Sequence, residues 1–291
     1  MTELKIGAHL SVSGGYESAL ERIVAMGGNA LQIFSTSPRI WKPATVSDVS
    51  ATAFRKRAVE LGVGPVFFHA SYLINLADSE RIGAVSKTAL IAELRLQPRM
   101  GVSGSVVHLG SYKDKGYATD GLFMHEKYPI LLGNIREILA ETPEESILII
   151  ENVATRKIGR TLEELGQILS DINSPRVRVC LDTCHLHAAG YDLSTAESFQ
   201  AFMATVDSLI GWNSVALFHL NDSRDPFGSF RDRHENLGEG LVPKSVFLNL
   251  LNHPRLQTIP AILETPGFDG NGPDARNITI ARSFINHNPS L

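Results

Sequence analysis

The feature that most constrains this sequence is an apolar run that ends in a potential metal ligand and precedes a helix-like segment. Seven such runs occur, and their last residues are His9, His69, His108, Glu151, Asp182, His219 and Glu264. An eighth run, residues 30–35, fits the series but ends without a metal ligand. Strands that alternate with helices predict a parallel sheet, and eight repeats predict that the sheet closes into a (β/α)8 TIM barrel.

Helical periodicity separates the predicted strands. Ser47 or Asp48 is a suitable N-cap for a helix closed by Gly62, and Thr161 with Glu164 forms the pattern of a capping box. Similar helical patterns cover residues 15–26, 79–97, 127–140, 196–211, 243–251 and 274–286. Since no low-complexity linker divides the chain, we predict a single α/β domain over residues 1–291.

The composition indicates the cellular compartment more clearly than the function. No apolar run approaches the roughly 20 residues that a membrane span needs, so no membrane partner is expected. The only two cysteines, Cys180 and Cys184, are predicted to share one strand, where they are too far apart for a disulfide. This favours a reducing, cytoplasmic setting. The net charge of −4 argues mildly against a nucleic-acid partner, but bound divalent ions would reverse that charge locally.

The C-terminal ends of the strands of a TIM barrel meet at one mouth, where catalytic residues lie. Two further segments supply candidates there, namely His185 and the sequence D-R-H at 232–234. The combined set contains five imidazoles and four carboxylates, which are His69, His108, Glu151, Asp182, His185, His219, Asp232, His234 and Glu264. Zinc binds both ligand types, so the set predicts a multinuclear metal site for hydrolysis, with His9 as a further candidate.

Six segments carry a resemblance that covers residues 6 to about 266 in order. They are GAHLSVSGG (7–15), HASYLINLA (69–77), CLDTCHLHAAGYDL (180–193), HLNDS (219–223), DRHENLGEG (232–240) and ILET (262–265). Together they resemble the endonuclease IV family of apurinic/apyrimidinic (AP) endonucleases. The resemblance implies a TIM barrel with three zinc ions that cuts double-stranded DNA 5′ to an abasic site. The products would be a 3′-hydroxyl and a 5′-deoxyribose phosphate, and we expect a monomer.

The resemblance also assigns roles to the candidate ligands. It divides them among three zinc ions as His69, His108 and Glu151; Glu151, Asp182, His219 and Glu264; and His185, Asp232 and His234. Glu151 would bridge the first two ions. Glu151 and Glu264 would be the catalytic carboxylates, and a hydroxide bridging two of the ions would attack the phosphodiester.

Two loops resemble the DNA-handling parts of the family. Arg39, Tyr72 and Leu73 would enter the duplex and fill the space left by an extruded nucleotide. Apolar and aromatic wedges offset lost stacking, and an abasic nucleotide costs little to flip. Without the surrounding motif, Tyr72 and Leu73 would be interpreted as ordinary loop packing.

One segment departs from the family pattern. A short glycine-rich run usually follows the strand-five glutamate, whereas NVATRKIGR (152–160) follows Glu151 here. Its basic residues Arg156, Lys157 and Arg160 either replace backbone contacts with side-chain phosphate contacts or form a solvated loop.

The main alternative function is a sugar isomerase or epimerase on the same barrel. Such enzymes also place metal ligands at the ends of strands five to eight, so Glu151, Asp182, His219 and Glu264 do not discriminate. The additional ligands His69, His108, His185, Asp232 and His234 discriminate between the two functions, because proton transfer between sugar carbons needs fewer metal ions. A non-catalytic DNA-damage binding protein is a third hypothesis, but such a protein has no need of a hydroxide-generating cluster.

Overall fold

The computed structural model describes residues 4–113, 125–155 and 157–285, and its central element is a closed barrel of eight parallel strands. The strands in chain order are β1 Ile6–His9, β2 Ala30–Phe34, β3 Val66–His69, β4 Ser105–Val107, β5 Leu148–Glu151, β6 Val177–Asp182, β7 Val215–His219, β8 Asp222–Ser223, β9 His234–Glu235 and β10 Ala261–Leu263. Strands β1 to β7 pair in sequence, and β10 closes the ring between β7 and β1. Strands β8 and β9 form a separate antiparallel pair. The predicted TIM barrel is confirmed.

Helices connect the strands, and nine lie within the described residues. They are α1 Tyr16–Ala25, α2 Asp48–Glu60, α3 Arg81–Met100, α4 Tyr128–Ala140, α5 Leu162–Ile172, α6 Thr183–Ala189, α7 Ala196–Leu209, α8 Lys244–Asn252 and α9 Ala275–Ser283. All except α6 match a periodic segment predicted from the sequence. Within the described part of the chain, the helices lack the length or the apolar character that crossing a bilayer requires.

Helix α6 overturns one expectation. Cys180 lies in β6 but Cys184 lies in α6, so the prediction that both cysteines share a strand is wrong. The helix begins there because the Asp182 carboxylate accepts a hydrogen bond of 2.9 Å from the His185 backbone N–H, which caps its N-terminus. Both thiols are buried and free.

The predicted capping box of α5 forms only in part. The Thr161 hydroxyl accepts a hydrogen bond of 3.2 Å from the Glu164 backbone N–H, as an N-cap should. The Glu164 carboxylate instead accepts hydrogen bonds from the backbone N–H groups of Gly159 and Arg160, at 3.0 and 2.8 Å. Glu164 thereby ties the end of the loop after β5 to the first turn of α5.

A ring of inward side chains fills the barrel directly beneath the mouth. Its members are Ala30, Phe67, Val106, Ile149, Cys180, Leu217 and Ile262. Each lies two positions before a polar residue, as Phe67 precedes His69 and Ile149 precedes Glu151. Because side chains alternate with a period of two along a strand, the polar residues point inward as well. The strand pattern thus delivers the candidate ligands to the mouth.

Close approach of β1 and β2 generates a stability prediction. A Cβ on Gly7 would lie 1.9 Å from the backbone oxygen of Ala30, so Gly7→Ala must displace a strand. We expect it to lower the free energy of unfolding by roughly 2–3 kcal/mol, the cost of overpacking a core. Gly133→Ala, inside α4 with nothing within 4 Å of the new Cβ, should raise it by about 0.5–1 kcal/mol. Urea unfolding of both variants makes the comparison, and equal effects would contradict it.

Candidate metal centre

The structure brings all of the sequence-predicted ligands together at the mouth. Among the described residues, atoms that could ligate a metal ion lie within 4.8 Å of one another in five groups, two of which include a cysteine, Cys180 or Cys184. The other three are His69, His108 and Glu151; Glu151, Asp182, His219 and Glu264; and His185, Asp232 and His234. These groups coincide with the division implied by the family resemblance. Four of the residues are the last of their strands, and His108 and Glu264 directly follow β4 and β10.

Two separations in the first group are compatible with a metal ion between its side chains. His69 Nε2 lies 3.4 Å and His108 Nε2 lies 3.3 Å from the same atom, Glu151 Oε2. Bonds of about 2.0–2.1 Å to a tetrahedral zinc ion place two ligand atoms about 3.3–3.4 Å apart. The observed separations therefore match the edges of a zinc coordination shell.

The second group shares Glu151 with the first, and its Asp182 lies close to the third. His219 Nδ1 lies 2.8 Å from Glu151 Oε1, 3.4 Å from Glu264 Oε2 and 3.9 Å from Asp182 Oδ2. Asp182 Oδ2 also lies 3.6 Å from His234 Nε2. In the last group, Asp232 Oδ1 lies 3.1 Å from His185 Nε2 and 3.5 Å from His234 Nε2. Glu151 and Asp182 therefore stand at the boundaries between groups, where bridging carboxylates belong.

Unpartnered buried atoms support metal binding. Glu151 Oε2, His185 Nε2 and His234 Nε2 are buried and make no hydrogen bond. Most buried polar atoms in proteins have a partner, and each exception needs an explanation. Here each atom faces other potential ligands, so a bound cation would give each of these three atoms a partner.

Hydrogen bonds to the outer ring nitrogens orient the histidines. His69 Nδ1 donates to the Ala70 carbonyl and His185 Nδ1 to the Asn152 carbonyl, both at 2.8 Å. His234 Nδ1 donates to the Glu264 carbonyl at 3.2 Å. Because a carbonyl oxygen can only accept, a proton sits on Nδ1, and Nε2 is the ring nitrogen that faces the site.

Gln32 is a site residue that the sequence did not reveal. Its Oε1 accepts a hydrogen bond of 2.9 Å from His219 Nε2, which leaves Nδ1 of that ring for a metal ion. Its Nε2 lies 2.6 Å from Glu264 Oε1 and 2.9 Å from His9 Nδ1. Gln32 follows Ala30 of the interior ring by two positions, and this strand parity was the available signal.

Two asparagines hold Asp182 and Glu264. Asn152 Oδ1 accepts a hydrogen bond of 2.6 Å from the Asp182 backbone N–H. Asn221 Nδ2 donates to Asp182 Oδ2 at 2.7 Å, and Asn221 Oδ1 accepts from the Glu264 backbone N–H at 2.7 Å. His9 lies 3.1 Å from Glu264 Oε1 through Nδ1, and it therefore contacts the site from β1.

Burial and neighbouring charges prepare these groups for cations. Burial lowers the pKa of His108 to about 4. Burial alone would raise the pKa of Glu151, but His108 and His219 bring it well below its ordinary value. Burial alone would also raise the pKa of Glu264, but His219 and His9 bring it well below its ordinary value. Both carboxylates are therefore ionised.

The mouth is a cavity of about 360 Å³ with exposed side chains on its rim. Tyr72 lines it and is 62% exposed, and Leu73 beside it is 36% exposed. Arg39 is exposed in the loop after β2. This loop is hydrogen-bonded to the loop after β3, because the Ser71 hydroxyl donates to the Pro38 carbonyl at 2.6 Å. The three predicted DNA contacts thus lie on two connected loops. Arg156, predicted in the loop after β5, lies outside the described residues.

Fold and ligand groups together define a class. The chain matches the family of xylose isomerase-like TIM barrels over residues 20–286. A structure described as a D-tagatose 3-epimerase-like protein superposes with a TM-score of 0.72 over 97% of both chains. It is 18% identical in sequence, so this likeness concerns the fold alone.

Nearer relatives give the family. A protein named probable endonuclease 4 from Nitratidesulfovibrio vulgaris (strain Hildenborough) is 37% identical over 95% of this chain and 97% of its own length. Another so named from Trichlorobacter lovleyi is 36% identical over 96% and 99%. The crystal structure of endonuclease IV from Thermus thermophilus has a TM-score of 0.82 and 32% identity, covering 96% of this chain and 98% of that one. The chain belongs to the endonuclease IV family of AP endonucleases.

The position of Gln32 generates a prediction for metal affinity. Gln32→Met keeps the side-chain length but removes the acceptor that orients His219, so the zinc affinity of the site should fall about 10- to 100-fold. Gln257→Met, at an exposed position, is the matched control. Competition with a chromophoric zinc chelator measures both, and an unchanged affinity in Gln32→Met would show that Gln32 does not hold His219.

Proposed function

We propose that this protein is a zinc-dependent AP endonuclease that hydrolyses the phosphodiester bond 5′ to abasic sites in duplex DNA. It would hold three zinc ions and leave a 3′-hydroxyl and a 5′-deoxyribose phosphate. The single observation that carries the proposal is the set of three adjacent ligand groups at one mouth, two of which share Glu151. Family membership supplies the DNA substrate.

The protein residues bind and orient in this mechanism. Bound zinc ions would lower the pKa of water and offset charge on the phosphodiester. His69 and His108 fix one side of Glu151, and His219 with Glu264 fixes the other. The Glu264 carboxylate is held from two sides by Gln32 and His9, so it stays aimed at His219 while substrate enters. Such fixed charges stabilise a transition state without reorganisation.

The exposed rim supplies recognition. Tyr72 packs edge-on against Phe34, with ring centroids 5.3 Å apart. This contact restrains the Tyr72 ring at the edge of the cavity. We assign Tyr72, Leu73 and Arg39 to the space that an extruded abasic nucleotide leaves in the stack. The Tyr72 ring would offset the lost base stacking.

The epimerase alternative is weaker on the same geometry. Four ligands around one ion would serve proton transfer between sugar carbons. The groups formed by His69 and His108, and by His185, Asp232 and His234, then have no purpose. Two or more closely spaced ions instead suit displacement at phosphorus.

Metal content is the first test. Protein purified without chelator should contain about three zinc ions per chain by elemental analysis and should cut an abasic duplex. Removal of the zinc ions by a chelator should abolish cutting, and their return should restore it. As a matched variant, Glu264→Gln keeps the shape but loses the charge and should lower cutting at least about 10²-fold. One ion per chain with full sugar epimerase activity would favour the alternative.

The second test separates recognition from chemistry. Replacing both Tyr72 and Leu73 with alanine should lower cutting of an abasic duplex by about one to three orders of magnitude, since each lost stack costs roughly 1–3 kcal/mol. The zinc content should stay at the parental value. A small phosphodiester that needs no extrusion should be hydrolysed at the parental rate, whereas a folding defect would slow both reactions. Normal cutting of the abasic duplex would make these residues loop packing.

A further inference from the structure

The side of the mouth formed by the loop after β5 carries two cations with no acidic partner among the described residues. Lys157 is exposed and lines the cavity together with His108, His185 and Asp232. Arg160, at the end of the same loop, is half-buried. Neither side chain forms a salt bridge within the described part of the chain, so both charges remain available to a ligand.

Nearby arginines are different, because internal acids neutralise them. In the segment between β8 and β9, Arg233 and Arg231 lie 2.6 and 3.6 Å from Asp225. Arg224 lies 2.9 Å from Glu235. The free positive charge on this side of the mouth is therefore concentrated on the β5 loop, where the sequence departs from the family pattern.

An exposed aromatic ring lies against one of the free cations. The Arg160 guanidinium stands over the ring of Phe230, 5.4 Å from its centroid, and the Phe230 side chain is 41% exposed. Phe230 has a φ of 55°, a left-handed conformation that is costly for a bulky residue and is often retained at functional sites. Its backbone N–H donates to the Ala188 carbonyl at the end of α6, at 3.0 Å.

The loop that carries the cations is held in place by backbone hydrogen bonds. Glu164 accepts from the N–H groups of Gly159 and Arg160, and the Ile158 N–H donates to the Gly110 carbonyl at 3.1 Å. Hydrogen bonds that restrain residues 158–160 reduce the entropy lost when the Arg160 side chain binds a ligand. Cations beside an exposed aromatic ring are the combination with which proteins bind unpaired nucleic acid.

We propose that Lys157, Arg160 and Phe230 form a second DNA-contact surface beside the mouth, separate from Tyr72. Lys157 and Arg160 bind backbone phosphates, and the Phe230 ring stacks on the base that loses its partner opposite the abasic site. This inference rests on the proposed function. Of the two interpretations of the β5 loop, it favours phosphate contacts over a solvated loop.

Salt dependence tests the cations. Zinc-loaded full-length protein is titrated with a fluorescent undamaged duplex between about 50 and 200 mM salt, where each lost phosphate contact lowers the slope of log K against log salt by about 0.9. Lys157→Ala/Arg160→Ala should lower the slope by about 1.8. Lys5→Ala/Arg178→Ala removes the same charge at the opposite end of the barrel, where β1 and β6 begin, and should keep the parental slope. A parental slope in the first variant, or an equal fall in both, overturns the inference.

Lesion dependence tests the ring. In single-turnover cutting of an abasic duplex, Phe230→Ala should raise the half-saturating enzyme concentration about 5- to 150-fold, the loss expected for one base stack. The maximal rate, the zinc content and the affinity for undamaged duplex should stay parental, and Phe230→Trp should restore saturation. A parental half-saturation in Phe230→Ala overturns the stacking role. If the parent itself fails to cut abasic DNA, the proposed function fails, while the salt slopes still decide the phosphate contacts.

Discussion

The buried carboxylate of Glu151 is the group on which the mouth of the barrel depends. One oxygen lies within 3.4 Å of His69 and His108, and the other lies 2.8 Å from His219. A fully buried carboxylate is tolerable only where cations or donors surround it. The barrel ring supplies that surrounding, because its hydrogen-bonded strands hold β3, β4, β5 and β7 with their C-terminal ends at one level.

Around this centre the molecule divides into a fixed interior and an exposed rim. Gln32, Asn152 and Asn221 use their amide groups to orient His219, Asp182 and Glu264. At the rim, Tyr72 is exposed and lines the cavity, and Phe230 is exposed in the segment between β8 and β9. Hydrogen bonds hold the interior side chains in place, whereas the rim leaves aromatic surface open to solvent.

Prediction from the sequence succeeded where the signal was local. Apolar runs ending at His69, Glu151 and His219 predicted the strands, and their strand ends coincide with those observed. It failed where one pattern continued into the next element. The run through Cys180 looked like a strand as far as Cys184, although the Asp182 side chain starts a helix between them. Gln32 was overlooked because an amide is not a typical zinc ligand.

The sequence by itself determined the barrel, the strand ends and the identity of the candidate ligands, because periodicity of two and of 3.6 residues and the order of motifs are readable along a chain. Only the tertiary structure decided which ring nitrogen each histidine turns inward. It also decided that Gln32 reaches His219, which is 187 positions away, and that Arg160 covers Phe230. Those contacts depend on how the barrel closes and how its loops pack. Neither can be predicted from a pattern of residues that are close in sequence.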